Sequence, residues 1–266
     1  MQKKSSIFRL FKSYYNARHL EIMQKLGYSM EEDETSANIL GSYLKARQSD
    51  EVKKLLNRVQ ILEKNQSSIV IVGPALSDFR ELQNLKKYFK DRNLLVCFVA
   101  ADGIMKKMIQ FGLPVDFLFT DLDGITAQEL ISYDLSETFC IVHAHGDNIP
   151  EIKRLGEIHK QIPHLVGTTQ TTNTSILLNP GGFTDGDRPF FFFHHLLNPD
   201  QVFYYYGFDF TVSRNHTLKS RLPQSMETYL HAKNQKLAIL DKNLRWLTHN
   251  YARKIKQFDF SPSSLV

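Results

Sequence analysis

Apolar residues change their spacing near position 66 of the chain. Before that position they recur every three or four residues, as along one face of a helix, and no segment has a convincing strand pattern. Asp33 and Ser49 are candidate helix caps, because short polar side chains accept hydrogen bonds from the first amide groups of a helix. We therefore predict a helical N-terminal region over residues 1–66. Its clearest apolar face is formed by Val52, Leu55, Leu56, Val59 and Leu62.

After position 66, short apolar runs alternate with segments of helical periodicity. Strands alternating with helices indicate a doubly wound, mostly parallel α/β sheet. Residues 67–266 are therefore expected to form one α/β domain, with a long C-terminal helix over 224–254. The runs that predict strands are SIVIVG (68–73), NLLVCFVAA (93–101), VDFLFTD (115–121), TFCIVHAH (138–145), HLVGTT (164–169) and QVFYYYGFDF (201–210).

Composition and charge narrow the class of protein. With 266 residues and 42% hydrophobic content, the chain can bury one sizeable core and a smaller appendage. No apolar run reaches the length of a membrane span. The net charge of +5 comes from scattered lysines and arginines, with no run that indicates a nucleic-acid arm. A solvated surface accounts for this excess, and a positive field that favours anionic ligands such as nucleotides is the alternative. Cys97 and Cys140 lie in apolar runs, which predicts buried free thiols and a cytoplasmic protein.

Polar residues cluster where four of the predicted strands end. Open α/β sheets bind their ligands outside the carboxyl ends of their strands. We therefore expect a ligand site at this edge of the sheet. The four clusters are Gly73-Pro74, Asp102-Gly103, residues 121–124 and residues 145–148.

Asp121 and Asp123 form a D-x-D pair directly after a strand. In an extended segment both carboxylates face the same side and can address one cation, and carboxylate oxygens suit Mg²⁺. A turn with helix-capping aspartates is the alternative. The stretch FLFTDLDGIT also resembles the haloacid-dehalogenase phosphatase motif, in which the first aspartate is a nucleophile. Ile125 stands in place of that motif's threonine and two strand–helix units precede the pair, so we do not favour a phosphatase.

His143, His145 and Asp147 form an H-x-H-x-D pattern at the next strand end. One interpretation is a transition-metal site, although the spacing offers no further zinc ligands. A second is that the histidines orient phosphate groups while Asp147 joins the cation of the aspartate pair. A third interpretation is that one of the two histidines has only a structural role.

The segment 168–189 is polar and rich in glycine. Gly181-Gly182 allows close backbone approach or a positive φ angle. Asp185, Asp187 and Arg188 directly precede a helical apolar run, where backbone amide groups can face an anion. The guanidinium of Arg188 suits phosphate geometry. An ordinary capped loop is the alternative interpretation.

These residues carry a resemblance to known enzymes. AADGIMKKMIQFGLPVDFLFTDLDG is similar to the thiamin pyrophosphokinase pattern. TDLDG, HAHGDN, GTTQ, GGFTDGDR and GFDF, in this order, more closely resemble the archaeal-type 6-hydroxymethyl-7,8-dihydropterin pyrophosphokinases. The resemblance covers roughly residues 69–222, and HAHGDN together with GGFTDGDR is its specific part. The family's G-x-G-P-S-L turn is replaced here by IVGPALS, and Pro180 and Pro189 flank the GGFTDGDR motif.

The resemblance implies a thiamin pyrophosphokinase-like, Rossmann-like fold and a Mg²⁺-dependent transfer of diphosphate from ATP to the pterin's hydroxymethyl group, releasing AMP. Under it, Mg²⁺ is held by Asp121, Asp123 and Asp147, with Asp102 a fourth candidate. His145 and Arg188 stabilise developing charge. Residues expected at the nucleotide or lining the pocket beside it are Gly73, Pro74, Ala75, Asp102, Gly103, Thr169 and Gln170. Residues expected at the pterin are Asn179, Gly181, Gly182, Phe183, Asp185 and Asp187.

Other functions stay open at this point. A thiamin pyrophosphokinase-like enzyme could act on another hydroxymethyl heterocycle. A related domain of sugar-transferase or flagellin-modification proteins is disfavoured by the short chain. A nucleotide-binding module without catalysis is disfavoured because neighbouring carboxylates repel unless a cation neutralises them. The partners expected are ATP and a pterin-like molecule, with no nucleic acid and no membrane span; assembly into a homo-oligomer is left open.

Overall fold

A computed structural model describes residues 16–171, 176–210 and 226–260. Three helices come first: α1 (Asn16–Leu26), α2 (Met30–Leu44) and α3 (Gln48–Lys64). The helical N-terminal region is therefore confirmed from Asn16 onward, and its first 15 positions lie outside the described residues. The two candidate caps are wrong. Ser29 caps α2 by accepting a hydrogen bond from the Glu32 amide, whereas Asp33 and Ser49 lie within helices. The division into domains at residue 66 stays a prediction.

Strands and helices alternate after α3. The elements are β1 (Ser68–Val72), α4 (Glu81–Asp91), β2 (Val96–Ala101), α5 (Ile104–Gln110), β3 (Phe117–Thr120), α6 (Ala127–Leu130), β4 (Phe139–Ala144), α7 (Ile149–Ile158), β5 (His164–Thr169), α8 (Arg188–Leu196), β6 (Phe203–Tyr206), α9 (Met226–Tyr251) and β7 (Ile255–Gln257). Within the described residues the strands form one parallel sheet in the order β5-β4-β3-β2-β1-β6-β7. The predicted doubly wound α/β fold is confirmed, with β7 an addition that the apolar pattern did not predict.

The sheet is buried on both faces because its strands are apolar at consecutive positions. Val70 and Val72 of β1 pack with α2, α4, α5 and α7, while Ile69 and Ile71 pack with α3, α8 and α9 on the other face. Parallel strands covered by helices on both sides have this continuous apolar character. Both cysteines are free and buried, as predicted. Among the described helices, none is long and apolar enough to cross a bilayer; the cytoplasmic location stays a prediction.

The N-terminal helices cover the edge strand β5. The carboxamide of Gln48 donates to the Gly167 carbonyl at 2.8 Å and accepts from the Gly167 amide at 2.9 Å, as a neighbouring strand would. Arg47 donates to the carbonyl oxygens of His159, Ile162 and Pro163 nearby. An open edge strand otherwise exposes unpaired backbone groups. These contacts fix the N-terminal helices against the sheet beside β4 and β5.

The parallel register brings the strand ends together at one edge. Ala101 of β2 lies opposite Phe119 of β3, and Thr120 lies opposite Val142 of β4. The residues that follow these strands, Asp102 and Asp121 among them, therefore emerge side by side.

Candidate active site

A cavity of about 270 Å³ lies at the carboxyl edge of the sheet. Its walls come from the ends of β1 to β6, from the loop before α8, from Tyr28 between α1 and α2, and from α9. The sequence predicted a ligand site at this edge. Eleven of the proposed site residues line the cavity: Pro74, Ala75, Asp102, Gly103, Asp121, Asp123, His145, Gln170, Phe183, Asp185 and Arg188.

Seven proposed residues do not line it. Asp147 is exposed to solvent, and Asp187 is fully buried behind the cavity wall. The other five are Gly73, Thr169, Asn179, Gly181 and Gly182. Asn179 holds the backbone of its loop, because its side chain accepts from the Gly181 amide at 3.2 Å and donates to the Thr171 carbonyl at 3.3 Å.

Three carboxylates converge at the centre of the cavity wall. Asp102, Asp121 and Asp185 each place one oxygen within 4.8 Å of the others, close enough to share a cation. Asp102 stands in a left-handed turn with φ of 59°, and its Oδ1 accepts from the Thr120 hydroxyl at 2.7 Å. A side chain at Gly124 would collide with the Asp102 carboxylate. Gly124 is therefore needed to make room for the acid.

The three acids have different protonation tendencies. Desolvation, with repulsion from neighbouring aspartates, raises the pKa of Asp102 and of Asp185 well above the usual carboxyl range. Desolvation also opposes ionisation of Asp121, but the hydrogen bond and charge of His145, with Lys236 and Arg188, outweigh it and lower its pKa. Crowded carboxylates of this kind are relieved when a cation neutralises them. The donor set and its spacing therefore fit a hard divalent cation such as Mg²⁺.

His145 and Asn148 join the ends of β3 and β4. Nδ1 of His145 accepts from the Asp147 amide at 3.3 Å, so Nε2 carries the proton that faces Asp121 at 3.3 Å. The Asn148 carboxamide donates to the carbonyl oxygens of Asp121 and His143, at 2.8 and 2.7 Å. In this turn Asp147 contributes its backbone amide, while its side chain points to solvent.

Asp187 and Arg188 hold the glycine-rich loop in shape. Oδ1 of Asp187 accepts from the amide groups of Phe183 and Thr184 at 2.9 and 2.6 Å, and Oδ2 accepts from Asn243 of α9. The buried guanidinium of Arg188 donates to Asp185 at 3.0 Å and to the Phe183 carbonyl at 2.8 Å. Asp187 therefore builds the loop, and Arg188 positions Asp185.

Gly182 in this loop is required by a close approach of the backbone to Arg188. Gly182 has φ of 80°, and a Cβ there would come within 2.7 Å of the Arg188 Cα. The loop can therefore fold back onto the start of α8 only with glycine at this position.

Several residues of the cavity wall were missed by the sequence analysis. Tyr28 belongs to a region with no recognisable motif, and Lys233 and Lys236 lie three residues apart on α9. Lysines at this spacing are common on the solvated face of any helix, so their sequence carries no signal. Asp33 was interpreted as a cap. It is 3% exposed and accepts hydrogen bonds from Gly146 and Gln170, outside the cavity wall.

A parallel doubly wound sheet with clustered carboxylates at its carboxyl edge defines an α/β protein with a cavity and a group of acids that could hold a cation there. Comparison with known proteins narrows this class. No protein-family model matches the chain. It is 32% identical over 237 residues to the 6-hydroxymethyl-7,8-dihydropterin pyrophosphokinase of Pyrococcus furiosus, which covers 89% of this chain and 94% of that one.

Two further relatives carry the same name. The protein from Methanocaldococcus jannaschii is 31% identical over 187 residues, 68% of this chain and 72% of that one. The protein from Methanothermobacter thermautotrophicus is 28% identical over 173 residues, 65% of this chain and 68% of that one. The chain belongs to the 6-hydroxymethyl-7,8-dihydropterin pyrophosphokinase family, and the resemblance carried by the motifs is confirmed.

Proposed function

We propose that this protein transfers diphosphate from ATP to the hydroxymethyl group of 6-hydroxymethyl-7,8-dihydropterin and releases AMP. The observation that carries the proposal is the 32% identity across 94% of a relative with that named activity. The cavity supports it, because acidic, basic and aromatic side chains meet there at the carboxyl edge of the sheet.

The cation in this proposal is held by Asp102, Asp121 and Asp185. These three carboxylates approach each other, whereas the Asp147 side chain is exposed and outside the cavity wall. Asp123 lines the cavity beside them and can bind through water. When bound, Mg²⁺ would neutralise charge on the triphosphate and favour attack at the β-phosphorus.

The nucleoside half of ATP fits the crevice between β1 and β6. The chain places β2 to β5 on one side of β1 and β6 on the other, so the strand order reverses there. Ligands of open α/β sheets bind at such a reversal. Pro74, Ala75, Gly207 and Phe208 line this part of the cavity.

The backbone at this crevice is tightly packed. The Ala75 amide donates to the Gly207 carbonyl at 2.7 Å. A Cβ at Gly73 would lie 2.7 Å from the same oxygen, and Gly207 has φ of 69°. Gly73 therefore shapes the nucleotide site from outside the cavity wall, where only a residue without a side chain fits.

Positive side chains oppose the acids across the cavity. Lys233 and Lys236 of α9 line it, and the charge of Lys236 lowers the pKa of Asp121 and opposes the rise in the pKa of Asp185. In our proposal these lysines bind phosphate oxygens of ATP and stabilise the charge that develops on the departing AMP. The tilted Phe183 ring offers an apolar face to the pterin.

Product analysis with ATP, Mg²⁺ and 6-hydroxymethyl-7,8-dihydropterin tests this function. We expect one AMP for each pterin diphosphate formed. Release of ADP would identify a simple kinase. AMP release that thiamin stimulates and the pterin does not would identify the thiamin pyrophosphokinase-like alternative.

A further inference from the structure

The N-terminal helices reach into the site from behind the ends of β4 and β5. Asp33 of α2 accepts hydrogen bonds from the Gly146 amide at 2.7 Å and from Nε2 of Gln170 at 2.5 Å. Ser36, one turn later, donates to Asn148 at 3.1 Å. A Cβ at Gly146 would come within 2.7 Å of Glu32, so α2 lies directly against this turn. The region without a recognised motif thus holds the catalytic edge of the sheet.

The acidic group divides the cavity into two halves. On the β1 and β6 side lie Pro74, Ala75 and Gly207, which line the crevice proposed for the nucleoside. On the β4 and β5 side lie His145 and Gln170. Gln170 contacts Met23, and Met23 packs with Phe183 and Tyr28, so both rings lie on this side. Since diphosphate passes across the central cation, the acceptor must occupy the second half.

The second half has the chemistry of a site for a flat heterocycle. The rings of Tyr28 and Phe183 line it with centroids 6.0 Å apart and planes tilted by 47°. Gln170 lines it as well, and Asp33 fixes how that carboxamide is turned. An ionised carboxylate only accepts hydrogen bonds, so the amino group of Gln170 must face Asp33. The position of the Gln170 oxygen follows from that constraint.

We propose that the N-terminal helices complete the acceptor half of the site, with Asp33 positioning the Gln170 carboxamide and the His145-Gly146 turn, and Tyr28 covering one face of the acceptor's ring. This inference rests on the proposed function. Asp33 makes its two bonds within the protein and is a positioning residue. Tyr28 and Gln170 belong to the wall that the acceptor contacts.

Asp33→Asn tests the positioning role in the full chain. The substitution preserves shape, but an asparagine side chain offers one acceptor and one amino group where Asp33 accepts two bonds. Keeping the Gly146 bond forces Gln170 to turn its carboxamide over. We expect the KM for the pterin to rise about tenfold, with the KM for ATP within about twofold of the unmodified enzyme. Glu31→Gln is the matched control, since Glu31 is an exposed acid of the same helix.

Tyr28→Ala tests the same half without touching the Asp33 bonds, and it carries the test alone if Asp33→Asn does not fold. It should also raise the pterin KM selectively. An unchanged pterin KM in the folded variants, or an equal rise for ATP, overturns the inference while the function stands. An unmodified enzyme that transfers no diphosphate to the pterin overturns the proposed function and this inference together.

Discussion

Nε2 of His145 lies 3.3 Å from Oδ2 of Asp121 and donates its proton toward that carboxylate. The contact favours the ionised form of Asp121, while Asp102 and Asp185 are pushed toward their protonated forms. Asp121 therefore supplies a permanent negative charge at the centre of the site. A cation that arrives there would displace protons from its two neighbours.

The two sets of proposed metal ligands can be separated by substitution. Asp121→Asn and Asp102→Asn each remove charge from the converging group, and we expect kcat to fall at least about a hundredfold with the fold retained. Asp147→Asn is the matched control, because that side chain is exposed; its kcat should stay within about threefold. Steady-state kinetics and circular dichroism measure these outcomes. A loss in Asp147→Asn equal to that in Asp121→Asn would restore the ligand set expected from the motifs.

Lys236 is expected to bind the triphosphate. Lys236→Ala should raise the KM for ATP about tenfold and leave the KM for the pterin nearly unchanged, because a charge-assisted contact to phosphate is lost. Lys242→Ala provides the control, since Lys242 is exposed on the same helix. Initial rates at varied ATP would reveal the difference. If both variants behaved alike, Lys236 would have only a general electrostatic effect.

Arg253 should be among the residues that contribute most to stability. It is 1% exposed and donates to the carbonyl oxygens of His194, Leu197, Asn198 and Gln201. Arg253→Ala leaves these oxygens buried without their donor, so the free energy of unfolding should fall by at least about 3 kcal/mol. Arg245→Ala, at an exposed pair with Asp241, should leave it nearly unchanged. Urea unfolding distinguishes the two, and similar losses would contradict the assignment.

Four histidines whose pKa is lowered by burial should each contribute a loss of stability in mild acid, opposite in sign to the contribution of Asp102 and Asp185. Burial lowers the pKa of His19, of His194 and of His195 to about 4, and it lowers the pKa of His143 well below its ordinary value. The unfolded chain binds protons at the ordinary value near 6.5 and the folded chain does not. The free energy of unfolding should therefore be insensitive to these groups above about pH 6.5 and fall as the pH drops from there toward 4.

Urea unfolding at several pH values across that window measures the slope. His195→Gln should flatten it, while His249→Gln, at an exposed position, should leave it unchanged. A slope that is the same in His195→Gln and in the unmodified protein would argue against a neutral buried His195.

The sheet and its ligand edge could be predicted because both follow from the order of apolar and polar residues over short stretches of sequence. Continuous apolar runs such as SIVIV form strands buried on both faces, and parallel strands place Asp102, Asp121 and His145 at one edge. Strand β7 was missed because Ile255–Gln257 is only three residues long and lies half in solvent. Its register against β6 comes from the fold of the whole chain.

Side-chain direction beyond a strand end could not be predicted. Asp147 sits in a tight turn that uses its amide to bind His145 and sends its carboxylate outward. Asp185 joins the acids because the Arg188 guanidinium and the Asp187 bonds fold its loop over the edge of the sheet. Asp33 is of a residue type that often caps helices. Only the packing of α2 against Gly146 shows that its carboxylate binds the turn after β4.

The contact between Gln48 and Gly167 makes the N-terminal helices stand in for an eighth strand. A chain shortened to begin at residue 67 would lose this cover and leave the outer edge of β5 paired only with Leu178, so the rest of that edge could pair with a strand of another molecule. Such a fragment should self-associate more readily than the full chain. The helices that shape one end of the active site therefore also protect the edge of the sheet from pairing with a second molecule.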